Sequence, residues 1–266
     1  MNETLKRLYT AIFCIVYTIS MCSYSVYTLC IYYVLLTSLC LFEYHYKIDS
    51  TRKKITIVLS LIVYTMGVGY VLELIDYKHL TLSLPIVMSL FSIELFSGKP
   101  NPMLSIGTDL IGLVWICGPL FLSVVLSYPH KTHVPGIIYG IMTFVFTNDA
   151  GAYFCGKYLG KHKLYPSISP KKTWEGAIGG GIVSICCYPI VIYLWPILPP
   201  FEWKVICIIS VVCGVIGDLI ESMFKRDLQI KDAGDILPGH GGSLDRLDSL
   251  LYTVPFVYCY LTINGI

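Results

Sequence analysis

Charge is what this 266-residue chain has least of: charged residues make up 14% of it, apolar residues 55%, and the mean hydropathy is +0.69. A soluble domain of that length needs a polar surface that this composition does not supply, which argues against a soluble α/β enzyme. From Leu8 to Phe42, 35 consecutive residues include no Asp, Glu, Lys, Arg or His. One spanning helix needs about 20 residues, so the run is expected to hold two short spans. It is too long for a cleaved signal peptide and has no small-residue cleavage pattern, so the first span is expected to stay as an anchor. Other absences remove whole mechanisms. No G-x-x-x-x-G-K-[ST] loop, G-x-G-x-x-G turn, H-E-x-x-H pair or G-x-S-x-G elbow occurs, so P-loop, dinucleotide, zinc-protease and serine-hydrolase readings lack their residues. The eleven cysteines lie in apolar segments without C-x-x-C spacing and read as small apolar side chains, not as a metal site or a disulfide framework. A formal net charge of +2 says little about partners, and no nucleic-acid partner is expected.

What is present is a series of apolar runs. They place about nine candidate spans, at roughly 8–23, 25–42, 55–75, 80–96, 110–128, 135–156, 173–195, 204–224 and 249–265. Pro85, Pro119, Pro189 and Pro255 fall inside spans, which membrane helices tolerate where neighbours satisfy the freed backbone groups. If the N-terminus and every even-numbered connection share one side, that side holds 16 of the 19 Lys and Arg residues, and the other holds Lys78, Lys131 and Lys204. Positive charge is retained in the cytoplasm, so the N-terminus is expected inside and the C-terminus outside. Trp195 and Trp203 bracket an outer connection, where amphipathic rings favour the membrane interface. The expected fold class is all-α, a polytopic integral membrane protein with about nine transmembrane helices. Residues 1–130, with Glu73, Glu94 and Asp109 near span ends, read as a transmembrane scaffold. Residues 131–266 read as the catalytic region, its site facing the cytoplasm. The compact size and the lack of a transit-like N-terminus favour a bacterial cytoplasmic (inner) membrane.

Against this oily background, Ser222 to Asp248 forms a polar island holding Lys225, Arg226, Asp227, Lys231, Asp232, Asp235, His240, Asp245, Arg246 and Asp248. Glycines at 234, 239, 241 and 242 let its backbone turn tightly and approach a ligand. Just upstream, Asp218, Glu221, Ser222 and Lys225 share one helix face, as do Asp149, Ala152, Tyr153 and Gly156 on an earlier span. A charged carboxylate near mid-membrane costs about 3 kcal/mol on insertion scales, so these groups are expected to face protein, water or metal. One buried Asp is equally well explained by a helix–helix hydrogen bond. Two carboxylate helices converging on an Asp-rich loop favour a site. The connection KYLGKHKLYPSISPKKTWEG adds five lysines, which suit an anionic partner or simply hold the loop inside. Ser169-Pro170, followed by Thr173 and Glu175, resembles a helix start. Gly176 and Gly180 form a GxxxG for close helix packing, a homodimer face being the weaker reading. Oxygen ligands suit Mg2+, and Lys, Arg and backbone N–H groups suit phosphate. Together these residues point to metal-dependent phosphoryl or nucleotidyl chemistry on a lipid.

The same residues resemble the phosphatidate cytidylyltransferases. The family pattern S-x-x-K-R-x4-K-D-x-G-x2-L-P-x-H-G-G-x2-D-R-x-D runs with its spacing intact from Ser222 to Asp248. D-x-x-A-Y-x-x-G follows at Asp149–Gly156 and S-P-K-K-T-x-E-G at Ser169–Gly176. The likeness covers roughly residues 135–255, and Ser243 departs from it, standing where the family usually has an apolar residue. It implies transfer of a cytidylyl group from CTP to phosphatidate within a lipid membrane, with Mg2+ as cofactor and a monovalent cation as a further candidate. It implies Asp218, Asp245 and Asp248 as metal ligands, the first two foremost, Asp149 as a further supporting carboxylate, and Lys225 and Arg246 as catalytic cations, Arg246 on the departing pyrophosphate. Substrate contacts would come from Ser169, Lys171, Lys172, Thr173, Ser222, Arg226, Lys231, Asp232, His240, Gly241 and Gly242. His240 serves equally well as a loop-ordering donor. Two other functions compete: a CTP-dependent polyprenol or dolichol kinase, and a cation or solute transporter built on Asp149 and Asp218.

Overall fold

The structure, a computed structural model, describes residues 3–47, 53–96, 101–230, 234 and 241–265. The chain divides into two compact units, residues 1–133 with 232–244, and residues 134–231 with 245–266.

In the first unit, α1 (Glu3–Tyr24) and α2 (Val26–Lys47) divide the long neutral run at Ser25. The break has a local cause. The Ser25 Oγ accepts the Thr28 N–H at 3.2 Å while the Thr28 Oγ1 accepts the Ser25 N–H at 3.1 Å, a reciprocal cap that starts α2. Then come α3 (Lys53–Val71), the short α4 (Tyr77–Leu80), α5 (Ser83–Leu95), α6 (Pro102–Gly112) and α7 (Gly118–Ser127). Between α6 and α7, Leu113–Cys117 widens to a π turn. It lies directly before Pro119, whose ring would collide with the Trp115 carbonyl in a regular α-helix. The interior of this unit also holds polar groups. Asp109, expected near a span end, is buried, accepts from Thr56 Oγ1 at 3.3 Å and lies 3.7 Å from the fully buried His45.

The second unit holds α8 (Gly136–Leu159), α9 (Trp174–Leu194), α10 (Pro200–Asp227) and α11 (Asp248–Ile263). Between α8 and α9 lies an element that the all-α expectation omits, an antiparallel hairpin of β1 (Lys163–Tyr165) and β2 (Ser169–Thr173). Glycines set the helix spacing. A Cβ on Gly176 would lie 2.9 Å from the Ala152 carbonyl oxygen, and one on Gly180 would strike that of Asn148, so α9 rides backbone to backbone on α8. The GxxxG therefore packs within the chain. Gly217 does the same between α10 and α11, where a Cβ would meet the Asp248 carbonyl oxygen at 2.8 Å. Trp203, expected at the interface, is instead fully buried, its ring filling the space beside Gly140 and its indole N–H donating to the Trp195 carbonyl at 3.1 Å.

A helix occupies each of the nine sequence-derived intervals. Among the described residues, six helical stretches are long and apolar enough to cross a membrane: Val26–Lys47, Lys54–Val71, Tyr77–Leu95, Pro102–Lys131, Trp174–Leu194 and Pro200–Asp227. The molecule is thus a helical membrane protein. Large apolar side chains such as Tyr193, Ile178 and Val114 are exposed, as expected for a lipid-facing surface.

The glycine packing makes a direct prediction. Gly180→Ala sets a methyl against backbone that has no rotamer to yield, and it should cost about 1–3 kcal/mol. Gly107, where an added methyl would meet nothing within 4 Å, is the control. Thermal unfolding of the detergent-purified variants should show a lowered midpoint for Gly180→Ala and an unchanged or raised one for Gly107→Ala.

Candidate active site

The hairpin brings lysines to the helix ends. Thr173 caps α9 from an extended backbone, its Oγ1 accepting the Gly176 N–H at 3.1 Å. Glu175 then reaches back across the hairpin base. Its carboxylate accepts the N–H of Lys161 at 3.0 Å and of His162 at 3.1 Å, and meets His162 Nδ1 at 2.6 Å. At the tip, the Ile168 carbonyl accepts from Arg226 Nε at 3.4 Å, while Arg226 also donates to the Ile230 carbonyl at 3.1 Å. These bonds of Arg226, a proposed phosphate contact, thus go to backbone.

Below the hairpin is a cavity of about 400 Å³. Asp149, Lys157, Lys171, Lys172, Thr173 and Asp218 line it together with Asn148 and Tyr153, and Leu164, Ala177 and Val215 supply apolar wall. Asp149 from α8, the lysines from β2 and Asp218 from α10, three separate sequence signals, meet around one space. Lys172 Nζ lies 2.6 Å from Asp218 Oδ2, and Ser222 Oγ lies 3.4 Å from Asp218 Oδ1.

Behind Asp218 the acidic groups converge. Carboxylate oxygens of Asp218, Glu221 and Asp248 all lie within 4.8 Å of one another. Glu221 is 1% exposed and neither of its oxygens makes a hydrogen bond; its counter-ion is Lys225. Lys225 also donates to Asp245 Oδ1 at 2.9 Å. Asp248 is buried, with one oxygen accepting its neighbour's N–H, from Ser249 at 2.7 Å. Five carboxylates, counting Asp149 and Asp245, thus share a neighbourhood in which Lys172 and Lys225 form the ion pairs. Three clustered carboxylates, one of them with a buried oxygen (Glu221 Oε1) that makes no hydrogen bond, fit a hard divalent cation such as Mg2+.

The sequence-derived set is therefore divided. Asp218 and Asp248 cluster, while Asp245, expected as a ligand, is the partner of Lys225 and lies outside the trio. Glu221 takes the third place; it shares the Asp218 helix face, but spacing alone assigns it no role. Ser169 lies on β2 away from the cavity wall, and Arg246 is exposed on the 3-10 turn Leu244–Arg246. Gly241 has φ +86°, a conformation that favours glycine, and Gly242 is buried. Lys231, Asp232 and His240 lie outside the described residues.

One residue had no sequence signal at all. Glu43 on α2, expected in a surface connection, is buried, and its two oxygens accept the N–H groups of Ser243 and Leu244 at 2.9 Å each. A Cβ on Gly234 would lie 2.5 Å from Glu43 Oε1, so that glycine makes room for the carboxylate. Glu43→Ala leaves two buried donors without acceptors, a cost of about 1–3 kcal/mol for each. The variant should unfold at lower temperature and be cut faster by protease near residue 243. Lys225→Met leaves the buried Glu221 without its counter-ion, for which about 3–5 kcal/mol is expected. Adding Glu221→Gln should recover part of that loss in the same unfolding assay.

Comparison with known proteins bears on this arrangement. The chain is 44% identical over 120 residues to a phosphatidate cytidylyltransferase of Bacillus subtilis, covering 45% of each chain. It is 42% identical over 141 residues to one of Staphylococcus saprophyticus, covering 52% of this chain and 54% of the relative. It is 36% identical over 171 residues to one of Mycobacterium bovis, covering 62% and 55%. The aligned stretches thus span about half the length of these relatives. The profile of the cytidylyltransferase family, by contrast, matches residues 5–264. With that match running almost end to end, the chain belongs to the cytidylyltransferase family.

Proposed function

We propose that the protein transfers a cytidylyl group from CTP to phosphatidate, releasing pyrophosphate and leaving CDP-diacylglycerol in the membrane. The observation that carries this reading is the cavity where Asp149, Lys171, Lys172 and Asp218 meet in front of the acidic trio. A phosphatidate oxygen, already anionic, attacks the α-phosphorus of CTP. The new P–O bond forms as the bond to the bridging β-phosphate oxygen breaks, and that electron pair leaves with pyrophosphate. Such a nucleophile needs no strong general base, so positioning and charge neutralisation carry the chemistry. Lys171 and Lys172 hold phosphate oxygens from the hairpin wall of the cavity, which Lys157 also lines. Arg246 stabilises pyrophosphate, and Ser222 orients Asp218. Asp218, Glu221 and Asp248 would hold Mg2+, which supplies charge neutralisation for the triphosphate.

The lysine-rich connections support a cytoplasmic N-terminus and cavity, and α8 and α11 extend the six apolar stretches toward the nine spans of the charge count. The bacterial relatives support a bacterial cytoplasmic membrane.

Purified protein given phosphatidate, Mg2+ and CTP labelled at the α-phosphorus should move label into chloroform-extractable lipid. Label left in CDP would identify a lipid kinase, and CTP left intact would remove both enzyme readings. Asp218→Asn should lower lipid labelling by at least about 100-fold while the protein still inserts and purifies normally.

A further inference from the structure

Asp218 belongs to two sets at once. It is one of the three clustered carboxylates, and its Oδ2 lies 2.6 Å from the Lys172 ammonium. A divalent cation drawn to the trio and the lysine therefore compete for the same carboxylate. The two lysines of the acidic neighbourhood are not equivalent. Lys225 is shared between Glu221 and Asp245 and does not line the cavity. Lys172 lines the cavity from β2, and its closeness to Asp218 is a charge contact without hydrogen-bond geometry. Its ammonium is a point charge on a flexible stem, which can change partner without a change of backbone. An anion entering the cavity meets that ammonium directly.

We propose that Lys172 is an exchangeable counter-ion: it neutralises Asp218 while the cavity is empty and moves to nucleotide phosphate when the cavity fills, releasing Asp218 to the metal. The inference rests on reading the cavity as a triphosphate site. It makes nucleotide and metal binding mutually reinforcing, since a coupling between two sites acts equally in both directions. It also makes the metal bind weakly alone, because the lysine must first be displaced. The device orders the site without a moving lid: charge enters as a matched pair, a cation behind and a polyanion in front.

The two ligands must then respond to loss of Lys172 in opposite senses. Full-length protein in detergent is titrated with Mn2+ alone, free Mn2+ being followed by electron paramagnetic resonance, and separately with CTP in EDTA. Lys172→Met should bind Mn2+ about tenfold more tightly than the natural protein, within the roughly 5–150-fold range of typical couplings, and CTP more weakly. Lys172→Arg keeps the charge and should hold Mn2+ affinity near that of the natural protein. A damaged fold weakens both ligands and cannot produce this pattern. Unchanged or weaker Mn2+ binding in Lys172→Met, or no Mn2+ binding by either protein, overturns the proposal. If the natural protein labels no lipid while Lys172→Met still tightens Mn2+, the counter-ion role stands and the CTP-to-phosphatidate reading falls. Lipid labelling by the natural protein with no tightening in the variant overturns the counter-ion role alone.

Discussion

Negative charge held in a low-dielectric setting is the constraint from which the second unit follows. Carboxylates of Asp218, Glu221 and Asp248 crowd within 4.8 Å in a chain where apolar residues outnumber charged ones by 55% to 14%. Like charges at that separation repel strongly unless cations intervene. Lysines from two directions supply part of the balance: Lys172 from the hairpin and Lys225 from the same helix. The remainder is what a bound cation would supply. Glycine makes the crowding geometrically feasible. Without a side chain at Gly217, the Asp248 carbonyl approaches α10 one residue from Asp218, and the two carboxylates come within reach. Gly176 and Gly180 seat α9 on α8, so the hairpin between those helices carries its lysines over Asp149.

Much of this was legible in the chain because it is periodic and local. The break near Ser25, the helix faces through Asp149 and Asp218, and the cap at Thr173 all depend on residues within a few positions of one another. The hairpin was not legible. Its strands are three and five residues long, the second contains Pro170, and both are rich in lysine, so it lacks the alternation that marks a strand. Trp203 was misplaced because an aromatic beside a loop reads as an interface anchor, while the space it fills is made by Gly140 about sixty residues earlier. The places of Asp245 and Glu221 were not legible for a similar reason. Which acid joins Asp218 and which takes Lys225 depends on how α10 meets the start of α11, and spacing along the chain does not contain that.

The first unit contributes more than span length. Glu43, with an oxygen on each of two successive backbone N–H groups, grips Ser243 and Leu244 directly before Asp245. No local pattern could have joined residues 200 apart. Ser243, the departure from the family pattern, makes this contact through its backbone. Family membership, covering residues 5–264, likewise extends through the half that composition alone marks as scaffold.

Whether the cation sits among Asp218, Glu221 and Asp248, with Asp245 outside its shell, can be measured. Anomalous diffraction at the manganese edge, from crystals grown with Mn2+ and CTP, tests it most directly. One anomalous peak bounded by the three carboxylates is expected, with Lys225 still on Asp245. A peak bound through Asp245 with Glu221 turned away, or no peak near Asp218, would contradict it.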